Sequence, residues 1–243
     1  MSKNEKILFG VRPTIELVKS DLQIKKIWIE QGKSLSKFEE LIAICDQKQI
    51  EYGEKSFRYL AKLAGTDKHQ GIIAIYTPLE RAICFESNHP PRNKSFLCIY
   101  LDRIQDPQNF GAIIRSSEFF EVDQIFYPEH HGAPFNETAI KASSGAGIHN
   151  PPYKIGSITT LFEKFQDYDF NIIGTSVNSG KEIKDINLKK NTLLIIGNEH
   201  EGISEKIKKY CTAFVNIPVK GRIDSLNASV SAGIFLYQIQ KGK

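Results

Sequence analysis

Apolar residues along the chain change their spacing several times, and the changes divide it into two patterned stretches. Helical spacing follows Pro13 at Ile15, Leu17 and Val18, within residues 7–20. Ile24 to Glu30 alternates apolar with polar, as a half-buried strand does, and Leu35 to Lys48 returns to helical spacing. Ile50 to Glu54 reads as a second short strand and Phe57 to Ala64 as a helix stopped by Gly65. Ile72 to Tyr76 is a β-branched strand that ends before Pro78. Together these predict a small α/β unit over residues 1–77. The pattern then lapses over 78–94, where Pro78, Glu80-Arg81 and the run Ser87 to Lys94 with Pro90-Pro91 read as a linker. The apolar Ala82 to Phe85 inside it is free to dock on either side.

A larger alternating pattern fills residues 95–243. Phe96 to Leu101 and Leu193 to Gly197 are continuous apolar runs, the mark of strands buried on both faces. Between and after them, strands are expected at Gln124–Tyr127, Phe170–Val177 and Ala213–Ile217. Helices are expected at Phe110–Phe120, Pro134–Ala142, Ile158–Phe165, from about Ser204, and at the end of the chain. Strand–helix alternation with apolar strands predicts an α/β fold with a parallel sheet covered on both faces. On such sheets ligands sit beyond the carboxyl ends of the strands.

The stretch Ile217 to Gln238 is the most unusual. A polar loop with Gly221 leads into a helix that Ser225 or Asn227 is suited to cap. The first turns of that helix carry Ala228, Ser229, Ser231, Ala232 and Gly233, so a close approach to another backbone or a ligand is expected there.

Composition narrows the classes. The 243 residues are 41% hydrophobic and 25% charged, an ordinary globular balance with a formal charge of +4. Residues 1–80 carry 13 Lys/Arg against 11 Asp/Glu and the remainder 19 against 17, so no basic tail marks a nucleic-acid arm. Cys45, Cys84, Cys98 and Cys211 form no CxxC pair and the six histidines are scattered, so no metal site is expected. The polar start carries no signal-peptide core, and no apolar run approaches the roughly 18 residues of a membrane span. A cytoplasmic, reduced protein is expected, with Asn136 and Asn227 as chance sequons.

Three polar clusters follow predicted strands: Leu101 to Arg115, Ile196 to Gly202, and Ile217 to Ser229. Each alone has a plain structural reading, since Asp106-Pro107 makes a good turn, Asn109 a helix cap, and Gly197 with Gly202 brackets a turn. Three on one sheet edge point to a site. Competing motifs are missing: there is no GxxxxGK[ST] phosphate cradle and no GxSxG nucleophile elbow. Ser144-Gly145-Ala146-Gly147 follows a helix rather than joining a strand to one, which argues against a dinucleotide site.

These clusters resemble the three motifs of the SpoU/TrmH family of RNA ribose 2′-O-methyltransferases, in the SPOUT superfamily. The first corresponds to Asn109 through Arg115 with its N-x-G-x-x-x-R spacing, and the second to Gly197 through Gly202. The third corresponds to Ile217-Pro218 and Ser225 through Ser229. The likeness covers residues 95–243. Residues 1–77, with Gly10 to Pro13 and His69-Gln70-Gly71, resemble the family's ribosomal-protein-like RNA-binding extension. The layout is nearest the subgroup that methylates a guanosine of large-subunit (23S) ribosomal RNA.

The resemblance implies a deep trefoil knot, a homodimer, an RNA partner, and S-adenosylmethionine bound bent in the knotted loops. It implies adenine recognition around Thr175, Gly197, Ile217 and Leu226. Arg115 becomes the catalytic or phosphate-contacting residue, with Asn109, Glu199, Ser225 and Asn227 orienting it or the target hydroxyl. Other readings are a transfer-RNA 2′-O-methyltransferase, a non-catalytic RNA-binding protein on the same scaffold, and a nucleotide-binding oxidoreductase.

Overall fold

The computed structural model describes residues 5–78, 83, 95–177, 180–183, 186, 191–222 and 225–241, without the side chain of Leu35. Most of the expected linker, including Cys84 and the Pro90-Pro91 pair, lies outside the described residues, as does Asp224. The chain divides into two compact units, Met1–Arg81 with Ser144–His149, and Ala82–Ser143 with Asn150–Lys243.

In the first unit the strands are β1 (Lys6–Phe9), β2 (Gln23–Glu30), β3 (Tyr52–Lys55) and β4 (Ile72–Thr77). The helices are α1 (Val11–Lys19), α2 (Glu39–Lys48, after a 3-10 turn at Leu35–Phe38) and α3 (Phe57–Ala64). The sheet order is β1-β4-β2-β3, with β4 antiparallel to both neighbours and β3 parallel to β2. α3 has the limits expected of it. Ser56 accepts a hydrogen bond from the Tyr59 amide at 3.3 Å, and Gly65 closes the helix at φ 68°. Leu60 on its inner face joins Phe9 and Ile73 in a core flanked by Trp28.

β1 is a departure from the expectation, which read only helical spacing there. Four residues alternating out of phase with a following helix give too little period to register, and β1 is held by its pairing with β4. The His69-Gln70-Gly71 turn links that strand's end to the first helix. Gln70 Oε1 accepts from the Val11 amide at 3.0 Å, and His69 Nδ1 accepts from the Gly71 amide at 3.0 Å.

The second unit contains β5 (Leu97–Leu101), α4 (Pro107–Phe119), β6 (Gln124–Pro128) and α5 (Glu137–Ala142). After α6 (Ala146–His149), which groups with the first unit, come β7 (Tyr153–Ile155), α7 (Ile158–Asp167), β8 (Asn171–Thr175) and β9 (Lys181–Glu182). The chain then runs through β10 (Thr192–Ile196), α8 (Glu205–Lys208), β11 (Ala213–Asn216) and α9 (Ala228–Lys241).

The sheet order is β7-β6-β5-β10-β8-β11-β9, and every recorded pairing is parallel. β5, β6 and β10 are buried along their whole length, as continuous apolar runs require. β10 enters between β5 and β8, matching Ile196 with Leu101. The carboxyl ends of β5, β8, β10 and β11 therefore share one edge. β7 and β9 were not expected, because three and two partly exposed residues carry no readable period. α8 is a single turn rather than a full helix.

Gly233 of the last helix is not itself a point of backbone contact. A Cβ added at Gly233 would stand 3.8 Å from Ser116 Oγ, an ordinary contact. At Gly111 it would stand 2.4 Å from the Ala139 carbonyl and 2.5 Å from Ala142 Cβ, so α4 and α5 touch backbone to backbone there. Gly111→Ala must push these helices apart and should cost about 1–3 kcal/mol, read as a lower denaturation midpoint; an unchanged midpoint would contradict the packing.

His69 supplies a second test. Burial pushes its imidazole pKa down, with Glu30 pulling the other way. The neutral form is thus favoured in the fold, and its stabilising effect is present above the unfolded value of about 6.5 and lost as pH falls below it. Unfolding free energy should drop more steeply from about pH 7 to 5.5 in the wild type than in His69→Gln. Equal slopes would rule this out.

Candidate active site

The strand-end edge encloses a cavity of about 980 Å³. Thr175, Gly197, Ile217 and Leu226 line it, as do Glu199, Ser225 and Asn227. Its apolar wall includes Val177, Val219, Leu226 and Val230, each between 45% and 53% exposed, which leaves greasy surface facing the opening. Among the described residues no group of His, Cys, Asp or Glu is arranged to hold a metal. Burial also pushes the Cys45 and Cys211 thiols up to about 11 and about 12, so both stay protonated at neutral pH.

Local sequence explains how the polar side chains reach the cavity. Asp106 caps α4, accepting from the Gln108 amide at 2.9 Å. Pro107 occupies the next position, where its missing N–H costs nothing. Asn109 is therefore not the cap but a first-turn residue with a free amide. That amide donates to Glu199 Oε1 at 2.7 Å, and its oxygen accepts from Asn227 Nδ2 at 2.9 Å. Asn227 in turn caps α9, its oxygen accepting from the Ser229 amide at 2.9 Å and the Val230 amide at 3.4 Å. Of the two candidates, Asn227 and not Ser225 makes these capping bonds.

The polarity of this relay is fixed at both ends. An ionised carboxylate only accepts and a backbone N–H only donates, so both amide groups have one satisfying orientation. One residue from each cluster is thereby joined across separations of 90 and 118 residues.

Gly197 does bracket a turn with Gly202, and tightly. A Cβ there would stand 2.4 Å from the Gly202 carbonyl carbon and 2.5 Å from the Ile203 nitrogen. The close approach that demands glycine is thus the loop's own return, while the residue also lines the cavity. Asn198 and Gly202 exchange backbone hydrogen bonds at 3.1 and 2.9 Å across that return. The Asn198 side chain accepts from the His200 amide at 2.9 Å and donates to the Arg103 carbonyl at 2.9 Å.

Sequence reasoning passed over Asp102, Arg103 and Glu201. Asp102, 1% exposed, accepts from the Ser204 amide at 2.6 Å and lies 3.4 Å from Arg103 Nε. Arg103 also pairs with Glu201 and tethers the second loop to the first. The available signal was an aspartate placed immediately after a fully apolar strand, where a turn residue explains it equally well.

Arg115 stands apart from the relay. It is exposed on α4, does not line the cavity, and makes no hydrogen bond or ion pair with the described residues. The structure brings together eight of the nine expected site residues, seven in full contact with the cavity and Asn109 through the relay, and leaves this arginine unengaged.

The second unit thus offers a roomy cavity beyond the carboxyl ends of a parallel sheet, with a carboxylate–amide relay at its rim. Residues 96–237 match the SpoU rRNA Methylase family, and residues 7–82 match the RNA 2′-O ribose methyltransferase substrate-binding family. The chain belongs to the SpoU rRNA methylase family, whose members are S-adenosylmethionine-dependent RNA 2′-O-methyltransferases.

It is 25% identical over 237 residues to a candidate TrmH family tRNA/rRNA methyltransferase of Staphylococcus haemolyticus, covering 97% of this chain and 95% of that one. The fold is also that of the SpoU methyltransferase AviRb from Streptomyces viridochromogenes, solved with AdoMet. That match has a TM-score of 0.80 at 22% identity, covering 98% of this chain and 90% of that one. The AdoMet-bound rRNA methyltransferase of Sinorhizobium meliloti matches at 0.76 and 22%, over 98% and 87% of the two chains.

Gly197→Ala should displace the 197–203 return, costing about 1–3 kcal/mol of stability and weakening ligand binding in the cavity. Denaturation and calorimetry with S-adenosylmethionine check it together; a variant normal in both would refute the loop's role.

Proposed function

We propose that the chain methylates the ribose 2′-hydroxyl of a guanosine in 23S ribosomal RNA. Residues 1–77 would hold the RNA, 78–94 would link them on, and 95–243 would carry the chemistry. The observation that supports this most is the Glu199–Asn109–Asn227 relay at the mouth of the cavity. The cavity fits the donor: apolar side chains suit an adenine ring, and main-chain groups at the strand ends offer donors and acceptors to its edge. Thr175, Gly197, Ile217 and Leu226 would wall that ring. Its bound form supplies an activated methyl group together with the leaving group.

What remains for the chain is alignment and charge. Arg115 holds the phosphate beside the target ribose and favours the alkoxide form of the hydroxyl. A guanidinium stays charged in proteins, so it does this by electrostatics and not by taking the proton. Its lack of a partner among the described residues suits a cation that waits for phosphate. Glu199, fixed by Asn109, and Ser225 with Asn227 orient the hydroxyl.

The knotted threading belongs to the same proposal, supported by the entry of β10 between β5 and β8. So does a homodimer, for which the exposed Phe119, at 79%, and Tyr237, at 52%, offer apolar surface on α4 and α9. The two-unit layout favours the ribosomal substrate over transfer RNA. The A. aeolicus TrmH/SpoU tRNA modifying enzyme, 27% identical with a TM-score of 0.53, covers only 62% of this chain and is itself covered over 76%.

Mapping 2′-O-methyl sites in cells with and without the protein decides the substrate: a lost guanosine mark in 23S RNA supports the proposal, and a lost transfer-RNA mark overturns its finer part. In vitro, Arg115→Ala should slow methyl transfer on the order of 10²–10³-fold with donor affinity unchanged. Lost donor affinity with normal turnover would refute the role.

A further inference from the structure

The first unit carries a surface that the proposed chemistry does not use. Trp28, the only tryptophan of the chain, projects from β2 beside Gly53 of the edge strand β3. A Cβ added at Gly53 would stand 3.2 Å from Trp28 Cζ3, so the ring lies against bare backbone. Tyr59, 44% exposed on α3, meets it edge-on with centroids 6.2 Å apart. The Lys26 and Lys55 ammonium groups stand 4.8 and 4.9 Å from the Trp28 centroid, and Lys55 stands 5.3 Å from that of Tyr59.

The charge around these rings is only partly neutralised. Lys26 pairs with Glu51. Lys55, and the exposed Arg58 and Lys62 of α3, have no carboxylate partner among the described residues.

We propose that this face stacks an unpaired base of the RNA substrate on Trp28 and Tyr59, with Lys55 taking a flanking phosphate. The proposal rests on the RNA reading above and deepens it by naming what the first unit reads: single-stranded bases, not a duplex. In a duplex the base faces are already stacked on one another, and only edges, sugars and phosphates are presented. Aromatic rings ringed by ammonium groups match instead the two parts of an unstacked nucleotide, a π-face and a phosphate. A base stacked on such a ring gains more than an exposed ammonium does over the same ring, so the base displaces the lysine toward the backbone. An acidic peptide would satisfy the lysines and leave the ring faces without a use.

Because Trp28 is the only tryptophan, its emission in the full chain reports this face alone. A mixed-sequence single-stranded oligoribonucleotide should quench it saturably, and the same strand annealed to its complement should not. Tyr59→Ala, a surface change, should weaken the quenching isotherm about tenfold, within the range of one lost stacking contact, and Lys55→Glu should weaken it by about the same factor through the lost phosphate contact. S-adenosylmethionine binding should be unchanged in both variants.

The proposal is overturned if an end-labelled strand binds by anisotropy while Trp28 emission stays constant. It is equally overturned if the duplex or an acidic peptide quenches as well, or if no strand binds. Methyl incorporation measured in parallel separates this from the catalytic reading: quenching without any methyl transfer would sink that reading and leave the platform standing.

Discussion

A parallel sheet offers a binding edge only if the polar groups at its strand ends are satisfied without filling the space beyond them. Here side chains from the connecting loops do the satisfying. Asp102 accepts from the Ser204 amide, and Asn198 accepts from His200 while donating to the Arg103 carbonyl. Each bond folds a loop back on itself or onto its neighbour. The loops after β5 and β10 are thereby held at the rim, and the cavity keeps its volume. Replacing either side chain with an apolar one would take the partner from part-buried amides, the costly half of any hydrogen bond.

The relay of Glu199, Asn109 and Asn227 depends on that arrangement, and helix caps decide which side chains are free to join it. Asp106 takes the capping duty of α4, so Asn109 one turn on is left to reach across. On α9 one residue serves both ends, its oxygen capping the helix and its amide closing the relay. An aspartate at 227 would cap equally well but would place a second acceptor against the Asn109 oxygen. Capping strength therefore does not explain the amide; the relay does.

Much of this was readable from residue order, because burial leaves a periodic trace. β5 and β10 are apolar along their length because each faces helices on both sides, and α3 was bounded by Ser56 and Gly65, whose geometries recur. What escaped was structure maintained by partners rather than by pattern. β1 exists through β4 and β9 through β11, while α8, expected from about Ser204, stops after one turn. In the site, the three clusters stood out by composition, but no local signal says that Asn109 meets residues 90 and 118 positions away. Gly197 and Gly202 were legible as bracketing a turn, yet how tightly the Gly202–Ile203 backbone returns on Gly197 was not. Asp102 was hidden because an aspartate after a strand is equally at home in a turn.

Under the proposed chemistry, the separation of Arg115 from the relay leaves its positive charge available to a phosphate. A guanidinium fixed by Glu199 would be neutralised in part and would hold phosphate weakly, since one carboxylate would compete with another anion for the same fork. Keeping Glu199 on the amide of Asn109 leaves that carboxylate oriented without consuming the positive charge. A neutral amide suits this position because it donates to the carboxylate with one atom and accepts from Asn227 with the other, which no cation can do. On the proposed reading, Asn109 orients the carboxylate while Arg115 keeps its charge for a phosphate.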